Sequence, residues 1–543
     1  MPVPDSEHLP ARAVPGPEAP PINRLVASLR EPRRYPHPAD RVEVLETHIS
    51  YVLLAGEYAY KLKKPLDLGF LDYSSLEKRR VACEDELRLN RRTTPGLYLD
   101  VVPIGGTPEE PRLGEAPAFE YAVKMRRFEQ DAQLDRVVAR RALTAGPLEM
   151  LARDLADFHA RAAVAGDAPP LGHPEQVLAS MERNFSQLEA LVDAAEERAA
   201  LERLREWTER NYARLHDTLA ARRAAGRVRE CHGDLHLANL VLRDGRIVPF
   251  DCIEFSADLR WIDVMSEIAF LVMDLIDHGE RALAHRFLDA YLAETGDYEG
   301  LAVLPFQLVY RAMVRALVTC IRAHQPGLDV HGRTRADAEH LDYLHLAERL
   351  STPGHPALVL MHGLSASGKS CTASRLVELA GAIRVRSDIE RKRLHGLAWN
   401  AATRSGLDAG LYGPDETRRT YARLTELAGV ILDAGYIAVL DATFLRREQR
   451  ESLERLAALR RVPFLLISCT ADEATLRRRI EARSAAGADP SEATLEVLER
   501  QIATQEPLTG AERHQTAVVD TSVPGEQFEK TLAALAAKLQ GQG

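Results

Sequence analysis

The sequence predicts two domains of different fold class. The first is an α+β domain with a small β-rich lobe and a helical lobe, and the second is an α/β domain with a parallel sheet. Three observations support this division. The 543 residues are too many for one ordinary domain. Strand-like segments come first and long helical segments follow them, up to about residue 350. Beyond that point, five apolar runs alternate with helical segments.

Composition restricts the class of protein and its partners. Hydrophobic residues make up 45% of the chain, charged residues 28%, and the net charge is -10, which argues against a whole-chain binder of nucleic acid or membrane surfaces. The six cysteines form no C-x-x-C pair and no zinc spacing, so we expect reduced thiols and a cytoplasmic protein. We also expect no signal peptide and no membrane partner, because the N-terminus lacks an apolar core segment and no apolar run approaches membrane-spanning length.

The chain is expected to begin with a disordered tail over residues 1–21, because this segment is rich in proline. The first domain follows over residues 22–350. HISYVLLAG and EYAYKLKKPL are typical of a β-hairpin, SLEKRRVACEDELRLNRR of a helix and AFEYAVKMRRF of another strand. Helical periodicity covers residues 147–224 and 262–350, on either side of a strand–loop–strand segment.

That intervening segment, CHGDLHLANLVLRDGRIVPFDCIEF, carries candidate chemistry. Asp234 and Asn239 lie in a polar loop, and a short predicted hairpin then ends at Asp251. The loop resembles the protein-kinase catalytic loop H-R-D-L-x-x-x-N, with the same Asp-to-Asn spacing. That resemblance implies that Asp234 would accept or orient the proton of a substrate hydroxyl, while Asn239 and Asp251 would bind Mg²⁺ through oxygen atoms. Turn and helix-cap residues without a site are the alternative interpretation.

The segment resembles more closely the H-G-D-x-H-x-x-N loop of the aminoglycoside phosphotransferase and choline-kinase-like family. The likeness spans about residues 22–345. It implies a protein-kinase-like fold and a small-molecule hydroxyl acceptor. Gly233 stands where protein kinases have arginine, and a helix-like segment follows Asp251 too soon for a long activation loop.

A kinase-like lobe also needs a strand lysine for the ATP phosphates and a helix carboxylate that holds it. YAYKLKKPL offers Lys61 and Lys63 on one face of a strand and Lys64 on the other. By resemblance to the V-x-K strand of the family we prefer Lys61, and we prefer Glu86 to Glu84 as its partner. A solvated strand face is the alternative. No G-x-G-x-x-G motif precedes the lysines.

After a short Pro/Gly linker, STPGHP at residues 351–356, the second domain is predicted over residues 357–540. The runs ALVLM, AIRVR, YIAVL, PFLLIS and TAVVD predict five parallel strands with helices between them. The first run leads into GLSASGKS, which fits G-x-x-x-x-G-K-[ST] and is followed by a helical segment. This pattern predicts a phosphate-binding P-loop for ATP. Its candidate nucleotide-binding residues are Gly363, Ser365, Ala366, Ser367, Gly368, Lys369 and Ser370, and the Ser370 hydroxyl would also bind Mg²⁺.

Two carboxylates follow later strands of this domain. YIAVLDATF ends a buried strand at Asp441, where a Walker-B carboxylate would orient Mg²⁺ and where a turn cap is the alternative. Ala442 follows, whereas many hydrolytic ATPases have glutamate there, which favours phosphotransfer. Asp388, just after AIRVRS, is a candidate base for an acceptor hydroxyl. A helix cap formed by Ser387 or Asp388 is the alternative.

TLRRRIEAR places Arg479 and Arg483 four residues apart, on one helix face. Two arginines beside a transferring phosphoryl group would stabilise its charge. The loop ADPSEA and a further predicted helix follow, as in a lid that closes over ATP. An ordinary solvated helix is the alternative.

These elements resemble the P-loop kinase group that includes polynucleotide kinases, chloramphenicol phosphotransferase, zeta-toxin kinases and gluconate kinase. SDIERKR, LDATF and RRRIEAR look most like the polynucleotide-kinase-type branch. That resemblance implies Asp388 as base, Asp441 as the Walker-B-like carboxylate and Arg479 and Arg483 as lid arginines. The whole chain resembles a bacterial fusion of an aminoglycoside-phosphotransferase-like domain with a P-loop kinase domain.

We therefore expect an ATP- and Mg²⁺-dependent phosphotransferase with two modules. The N-terminal module would phosphorylate a small-molecule hydroxyl. The C-terminal module would phosphorylate a small molecule or a nucleotide-type acceptor, including a nucleic-acid end. The alternative is a regulatory ATP-binding protein, in which the first domain senses a ligand without catalysis and only the P-loop domain turns over ATP.

Overall fold

The computed structural model describes residues 21–69, 71–167, 171–325, 328–401, 410–486, 493–522 and 525–541. Residues 1–20 of the predicted tail lie outside these ranges, and so does most of the ADPSEA loop. Pro21, the last residue of the predicted tail, begins a helix.

The helices and strands of the first 350 residues are, in chain order, α1 (Pro21–Ser28), β1 (Val42–Glu46), β2 (Ser50–Ala55), β3 (Tyr58–Lys63), α2 (Leu76–Asn90), β4 (Tyr98–Gly106), β5 (Pro111–Leu113), β6 (Glu120–Arg126), α3 (Leu134–Ala139), α4 (Ala145–Arg161), α5 (Pro174–Leu191), α6 (Ala195–Ala224), β7 (Val228–Glu230), β8 (Leu240–Arg243), β9 (Arg246–Pro249), α7 (Ala257–Arg260), β10 (Trp261–Asp263), α8 (Val264–Asp277), α9 (Arg281–Thr295), α10 (Leu304–Ala323) and α11 (Val330–Leu350).

An antiparallel sheet in the order β1-β2-β3-β6-β4-β5 forms the small lobe. Successive residues of a strand point to opposite faces. Leu53 and Tyr60 accordingly pack in a cluster with α1, while Leu54 and Ala59 pack with Cys83 of α2 on the other face. The predicted hairpin is β2–β3, and β3 carries both candidate lysines into the buried centre of the sheet.

The remaining elements are, in chain order, β11 (Leu358–His362), α12 (Lys369–Ala380), β12 (Ile383–Arg386), α13 (Ser387–Arg393), α14 (Pro414–Asp433), β13 (Ala438–Asp441), α15 (Arg447–Arg460), β14 (Phe464–Thr470), α16 (Glu473–Ala486), α17 (Leu495–Thr504), α18 (Gly510–His514), β15 (Thr516–Asp520) and α19 (Glu526–Leu539).

The five predicted strands form one parallel sheet, in the order β12-β13-β11-β14-β15. Val359 and Ile467 pack with Leu376 of α12 and Leu532 of α19 in the core of this domain. Because the strands are parallel, their carboxyl ends meet at one edge, where the P-loop joins β11 to α12. The structure thus confirms the predicted fold class, an α+β domain followed by an α/β domain with a parallel sheet.

The described chain divides into two compact units. The first contains residues up to Leu143 together with Phe158–Gln176 and Gly226–Glu267, and the second contains Thr144–Asp157, Val177–Ala225 and everything from Ile268 onward. Helices α9, α10 and α11, which precede residues 351–356, therefore belong to the same unit as the parallel sheet. The domain limits drawn from the sequence stay a prediction.

Helix α10 is long and apolar enough, by composition alone, to cross a membrane. Its sequence also carries Arg311, Arg315 and Arg322, and 72% of its most apolar window is buried inside the protein. Such burial is typical of a core helix.

Candidate active sites

The first candidate site is built on the loop that follows β7. The buried carboxylate of Glu267, in the first turn of α8, accepts hydrogen bonds from the backbone N–H groups of His232 (2.6 Å) and Gly233 (2.9 Å). Gly233 has φ +89°, and a Cβ atom there would lie 2.8 Å from the carbonyl oxygen of Leu259. Glycine avoids both the strain and the collision, so the loop reaches Asp234 in a fixed conformation.

The predicted base, Asp234, and the predicted metal-binding residue, Asn239, are in direct contact in this loop. The Asn239 side-chain amide donates hydrogen bonds to Asp234 Oδ2 (2.8 Å) and to the Asp234 carbonyl oxygen (3.0 Å). These bonds orient the Asp234 carboxylate, which is 34% exposed, and they leave the Asn239 Oδ1 atom as the one suited to a metal ion. His236 Nε2 lies 3.3 Å from the same carboxylate oxygen.

The predicted second metal ligand, Asp251, follows β9 in an unusual backbone conformation. Its φ is +63°, a value that non-glycine residues rarely adopt, and its N–H donates to the Tyr98 hydroxyl (2.9 Å). The ring of His232 contacts the carbonyl oxygen of the preceding residue, Phe250, at 2.9 Å from Nε2. A strained carboxylate that is 40% exposed and braced on both sides is typical of a functional position.

Lys61 and Glu86 form an ion pair, as the sequence predicts, with 3.0 Å between Lys61 Nζ and Glu86 Oε1. Lys61 also pairs with Asp251. Burial alone lowers the pKa of Lys61, but Asp251 and Glu86 outweigh it and raise the pKa well above its usual value. Glu84, the alternative partner, instead pairs with Arg80 on the helix surface.

A second lysine of β3, which sequence reasoning left unassigned, completes a buried network. Lys63 pairs with Glu86 (2.7 Å) and with Glu254, and Tyr73 also donates to Glu254. Burial raises the pKa of Glu86, but Lys61 and Lys63 lower it to about 2. The signal in the sequence was the K-x-K alternation, which places both lysines on one face.

The second candidate site is the P-loop. Gly363, Ala366 and Gly368 have φ values of +133°, +64° and +87°. A Cβ atom on Gly363 would lie 2.4 Å from the carbonyl oxygen of Cys469, and one on Gly368 would lie 2.8 Å from the side chain of Thr521. The loop therefore packs closely against its neighbours, in a conformation that glycine at positions 363 and 368 permits.

A cavity of about 520 Å³ opens over this loop. Nine predicted site residues line it, and they are Ser365, Ala366, Gly368, Lys369, Ser370, Asp388, Asp441, Arg479 and Arg483. Gly363 and Ser367 do not line the cavity and instead shape the loop. The Ser367 carbonyl oxygen, for example, accepts a hydrogen bond from Thr521 Oγ1 (2.9 Å).

Lys369 is buried at the start of α12, and its ammonium donates to the Leu364 carbonyl oxygen (2.6 Å). Burial lowers its pKa, and Asp441, Cys469 and Asp388 oppose this only in part. A buried ammonium with one carbonyl partner retains donors for phosphate oxygens.

The residues at the end of β13 fit a magnesium ion. Asp441 is buried, and among the described residues no group donates a hydrogen bond to its Oδ2 atom. Arg386 Nε lies 3.8 Å from that atom. Buried acceptor oxygens without donors are rare, and a bound cation is one accepted explanation. Together with the Ser370 hydroxyl in the same cavity, Asp441 supplies the oxygen ligands that Mg²⁺ prefers.

Asp388 lies in the first turn of α13 and faces the cavity. Arg386 occupies the N-cap position of this helix, and the Ser387 hydroxyl donates to the Asp441 carbonyl oxygen (3.2 Å). Neither Ser387 nor Asp388 therefore stands at the cap position that the alternative interpretation required. The carboxylate of Asp388 is placed beside the P-loop instead.

Arg479 and Arg483 project from α16 into the same cavity. Arg479 donates to the carbonyl oxygens of Ala366 (3.2 Å) and Thr521 (2.5 Å), and Arg483 donates to that of Ala493 (3.1 Å). Arg479 is thus tied to the P-loop itself, and Arg483 is tied to the segment before α17. Asp489, Pro490 and Glu492 of the predicted lid loop lie outside the described residues.

Sequence reasoning missed the contribution of α17 to this site. Gln501 Oε1 accepts a hydrogen bond (2.8 Å) from the backbone N–H of Ser365. Without Gln501, this N–H could donate to a phosphate oxygen instead. Tyr412 and Tyr421 also line the cavity, and the guanidinium of Arg391 stacks on the Tyr412 ring at 4.8 Å. No local motif marks these residues, because they reach the site from separate elements.

Comparison with known proteins identifies both parts of the chain. A model of the phosphotransferase enzyme family matches residues 126–304, and a model of an AAA domain matches residues 358–508. The uncharacterized protein Rv2004c of Mycobacterium tuberculosis is 30% identical over 448 residues, which are 82% of this chain and 87% of that protein. The uncharacterized protein Mb2027c of Mycobacterium bovis matches to the same extent. The chain belongs to their family.

The two family matches confirm the predicted fusion. The chain contains an aminoglycoside-phosphotransferase-like domain and a P-loop kinase domain. Among solved structures, amicoumacin kinase hAmiN is 12% identical with a TM-score of 0.37, over 56% of this chain and 88% of that chain. A gluconokinase from Sinorhizobium meliloti is 21% identical with a TM-score of 0.25, over 35% of this chain and 95% of that chain.

Proposed function

We propose that the chain is an ATP- and Mg²⁺-dependent phosphotransferase with two active sites, each of which transfers the γ-phosphoryl group to a hydroxyl. The observation that carries the proposal is the P-loop cavity. Its lining residues Lys369, Ser370, Asp388 and Asp441 come from three separate segments of the chain and supply a phosphate ligand, two magnesium ligands and a base.

At the P-loop site, backbone N–H groups and Lys369 bind the β- and γ-phosphates, and Arg479 and Arg483 stabilise the charge on the transferring group. Bound Mg²⁺ would neutralise phosphate charge between Ser370 and Asp441. Asp388 accepts the proton of the acceptor hydroxyl. Tyr412, Tyr421 and Arg391, which line the same cavity as Asp388, support a nucleotide-type acceptor, because aromatic rings and guanidinium groups stack on bases.

At the first site, Lys61 binds ATP phosphates, and Asp234 orients the acceptor hydroxyl and takes its proton. Asn239 and Asp251 would hold Mg²⁺ there, which would neutralise phosphate charge. A small acceptor is supported by the segment after Asp251. Helix α7 begins at Ala257, so the described chain leaves no long segment there on which an extended peptide could dock. A protein with this cofactor and substrate chemistry is expected in the cytoplasm.

Transfer of label from γ-labelled ATP tests the proposal. Purified full-length protein is incubated with Mg²⁺ and a panel of nucleosides, sugars and amino alcohols, and labelled products are compared with free phosphate. We expect one product class that is lost in Lys369→Ala and another that is lost in Asp234→Ala. Release of free phosphate alone, for every acceptor, would contradict the proposal. Loss of product only in Lys369→Ala would favour the alternative, a first domain that senses a ligand without catalysis.

A further inference from the structure

Helix α9 belongs to the phosphotransferase-family match, but it packs on the P-loop helix α12 within the second compact unit. His285 Nδ1 contacts the carbonyl oxygen of Glu378 (3.3 Å), and Arg286 pairs with the Glu378 carboxylate (3.4 Å). A Cβ atom on Gly381 would lie 3.0 Å from the His285 ring. The two helices are therefore in close contact at the C-terminal end of α12.

Helix α9 is also linked to the end of the P-loop at Ser370, because its residue Asp289 contacts an arginine that contacts Ser370. Asp289, which is 5% exposed, accepts a hydrogen bond (2.7 Å) from Arg384 of strand β12. The other terminal nitrogen of Arg384 donates to Ser374 Oγ (2.7 Å) and to the carbonyl oxygen of Ser370 (3.4 Å). Arg384 thus joins α9 to the turn of α12 that carries the candidate magnesium ligand.

A buried guanidinium is stable only when anions and acceptors fix it in place. Asp289 is the carboxylate that forms an ion pair with Arg384, whereas the α12 partners of Arg384 are an uncharged hydroxyl and a carbonyl oxygen. Without Asp289, the guanidinium would turn toward water or another acceptor and would release Ser370 and Ser374. Strand β12 would then be less well anchored at Arg384, which lies three residues before Ser387 and four before the candidate base Asp388.

We propose that Asp289 is a positioning residue of the P-loop site, which means that a helix of the phosphotransferase-like segment is a working part of the P-loop kinase. Asp289 does not line the P-loop cavity and acts through Arg384. The inference rests on the proposed function only where ATP is the readout. It predicts that the structure of α12 depends on Asp289 whatever the acceptor is.

Hydrogen exchange measured by mass spectrometry on the full-length protein tests this dependence without using activity. We expect the amides of residues 372–377 to exchange about tenfold faster or more in Asp289→Asn, since a hydrogen bond to a charged group is lost. Asp297→Asn is the matched control, because Asp297 is also buried and pairs with Arg222 (2.9 Å) in the same unit. It should speed exchange locally around Arg222 and residues 297–302 and leave exchange in α12 unchanged.

Titration with MgATP supplies the second readout. A displacement of about 1 Å at a site costs up to about 100-fold in function. We expect Asp289→Asn to weaken MgATP binding at the P-loop site or to lower kcat by tenfold or more, and Asp289→Glu to restore most of the loss. Equal exchange in α12 for wild type, Asp289→Asn and Asp297→Asn would overturn the inference. So would faster exchange that Asp297→Asn reproduces. If the wild type binds no ATP at the P-loop, the proposed function fails while the exchange result still decides the role of Asp289.

Discussion

Single residues at both sites hold partners that a bound nucleotide would have to replace or share. Lys61 pairs with Asp251, a predicted metal ligand, as well as with Glu86. Gln501 holds the N–H of Ser365 in the P-loop. Each of these contacts satisfies a buried polar group in the protein without ligand. A nucleotide that binds must replace the contact, and the free energy of the lost contact weakens its affinity.

Removal of the Gln501 side chain tests that cost. We expect Gln501→Ala to tighten MgATP binding at the P-loop site about twofold to fivefold, because a net hydrogen bond of about 1 kcal/mol no longer competes with the phosphates. Isothermal titration calorimetry measures the change. Glu499→Ala is the control on the same helix, since Glu499 pairs with Arg477 outside the cavity. Weaker binding in Gln501→Ala would mean that Gln501 contacts the nucleotide directly.

The low pKa of Glu86 makes part of the stability depend on pH. Its pKa falls from about 4.5 to about 2 in the folded protein, so its contribution is complete above pH 4.5 and is lost as the pH falls toward 2. We expect Glu86→Gln to be less stable than wild type at pH 7 and to lose less further stability between pH 4.5 and pH 3. Chemical denaturation at several pH values measures this.

Glu84→Gln, on the exposed side of the same helix, should keep the acid sensitivity of the wild type. An unchanged pH dependence in Glu86→Gln would show that other carboxylates account for acid unfolding.

At the scale of elements, the P-loop and the first catalytic loop both contain a turn that packs closely against a neighbouring backbone segment and therefore requires glycine. Gly233 lies against Leu259, and Gly363 lies against Cys469 of β14. In each case a strand or loop neighbour holds the turn, while the residues that follow carry the chemistry. In both loops, therefore, the glycine that fixes the backbone conformation is a different residue from those that carry the proposed chemistry.

Substitution of Gly363 tests this separation. We expect Gly363→Ala to cost roughly 1–3 kcal/mol of unfolding free energy and to abolish MgATP binding at the P-loop site, because its φ is +133° and the new Cβ would meet the Cys469 carbonyl oxygen at 2.4 Å. Gly510→Ala is the control, since no atom lies within 4 Å of a Cβ there. Wild-type nucleotide affinity in Gly363→Ala would refute the packing argument.

At the scale of the molecule, the chain carries two separate sets of candidate catalytic residues. The set around Asp234 lies in the first compact unit and the P-loop set lies in the second. The units do not follow the two family matches, however, because helix α9 lies within the first match and packs with the P-loop domain. We therefore expect single substitutions to separate the two proposed activities, because each set of candidate catalytic residues lies within one compact unit.

Nucleotide stoichiometry tests the division. We expect two MgATP per wild-type chain, one in Lys369→Ala, and none when Asp251→Asn is added to Lys369→Ala, because each substitution removes a phosphate or metal ligand from one site only. Equilibrium dialysis with labelled ATP counts the sites, and thermal unfolding shows that each variant is folded. Saturation of the wild type at one ATP per chain would contradict the two-site proposal.

The sequence by itself determined the fold class and the local motifs. Asp234 with Asn239 and the loop from Gly363 to Ser370 are each defined by neighbours along the chain, so spacing alone predicts what they can bind. The strand order β12-β13-β11-β14-β15 and the cavity over the P-loop agree with the predicted parallel sheet.

Only the tertiary structure decided which distant side chains complete those motifs. Gln501 meets Ser365 across 136 residues, Lys63 meets Glu254 across 191, and Asp289 meets Arg384 across 95. None of these contacts has a local pattern, because a buried charge or an N–H group can be satisfied by any segment that packs against it. Packing selected the segment, and for the P-loop kinase it selected a helix of the other family match.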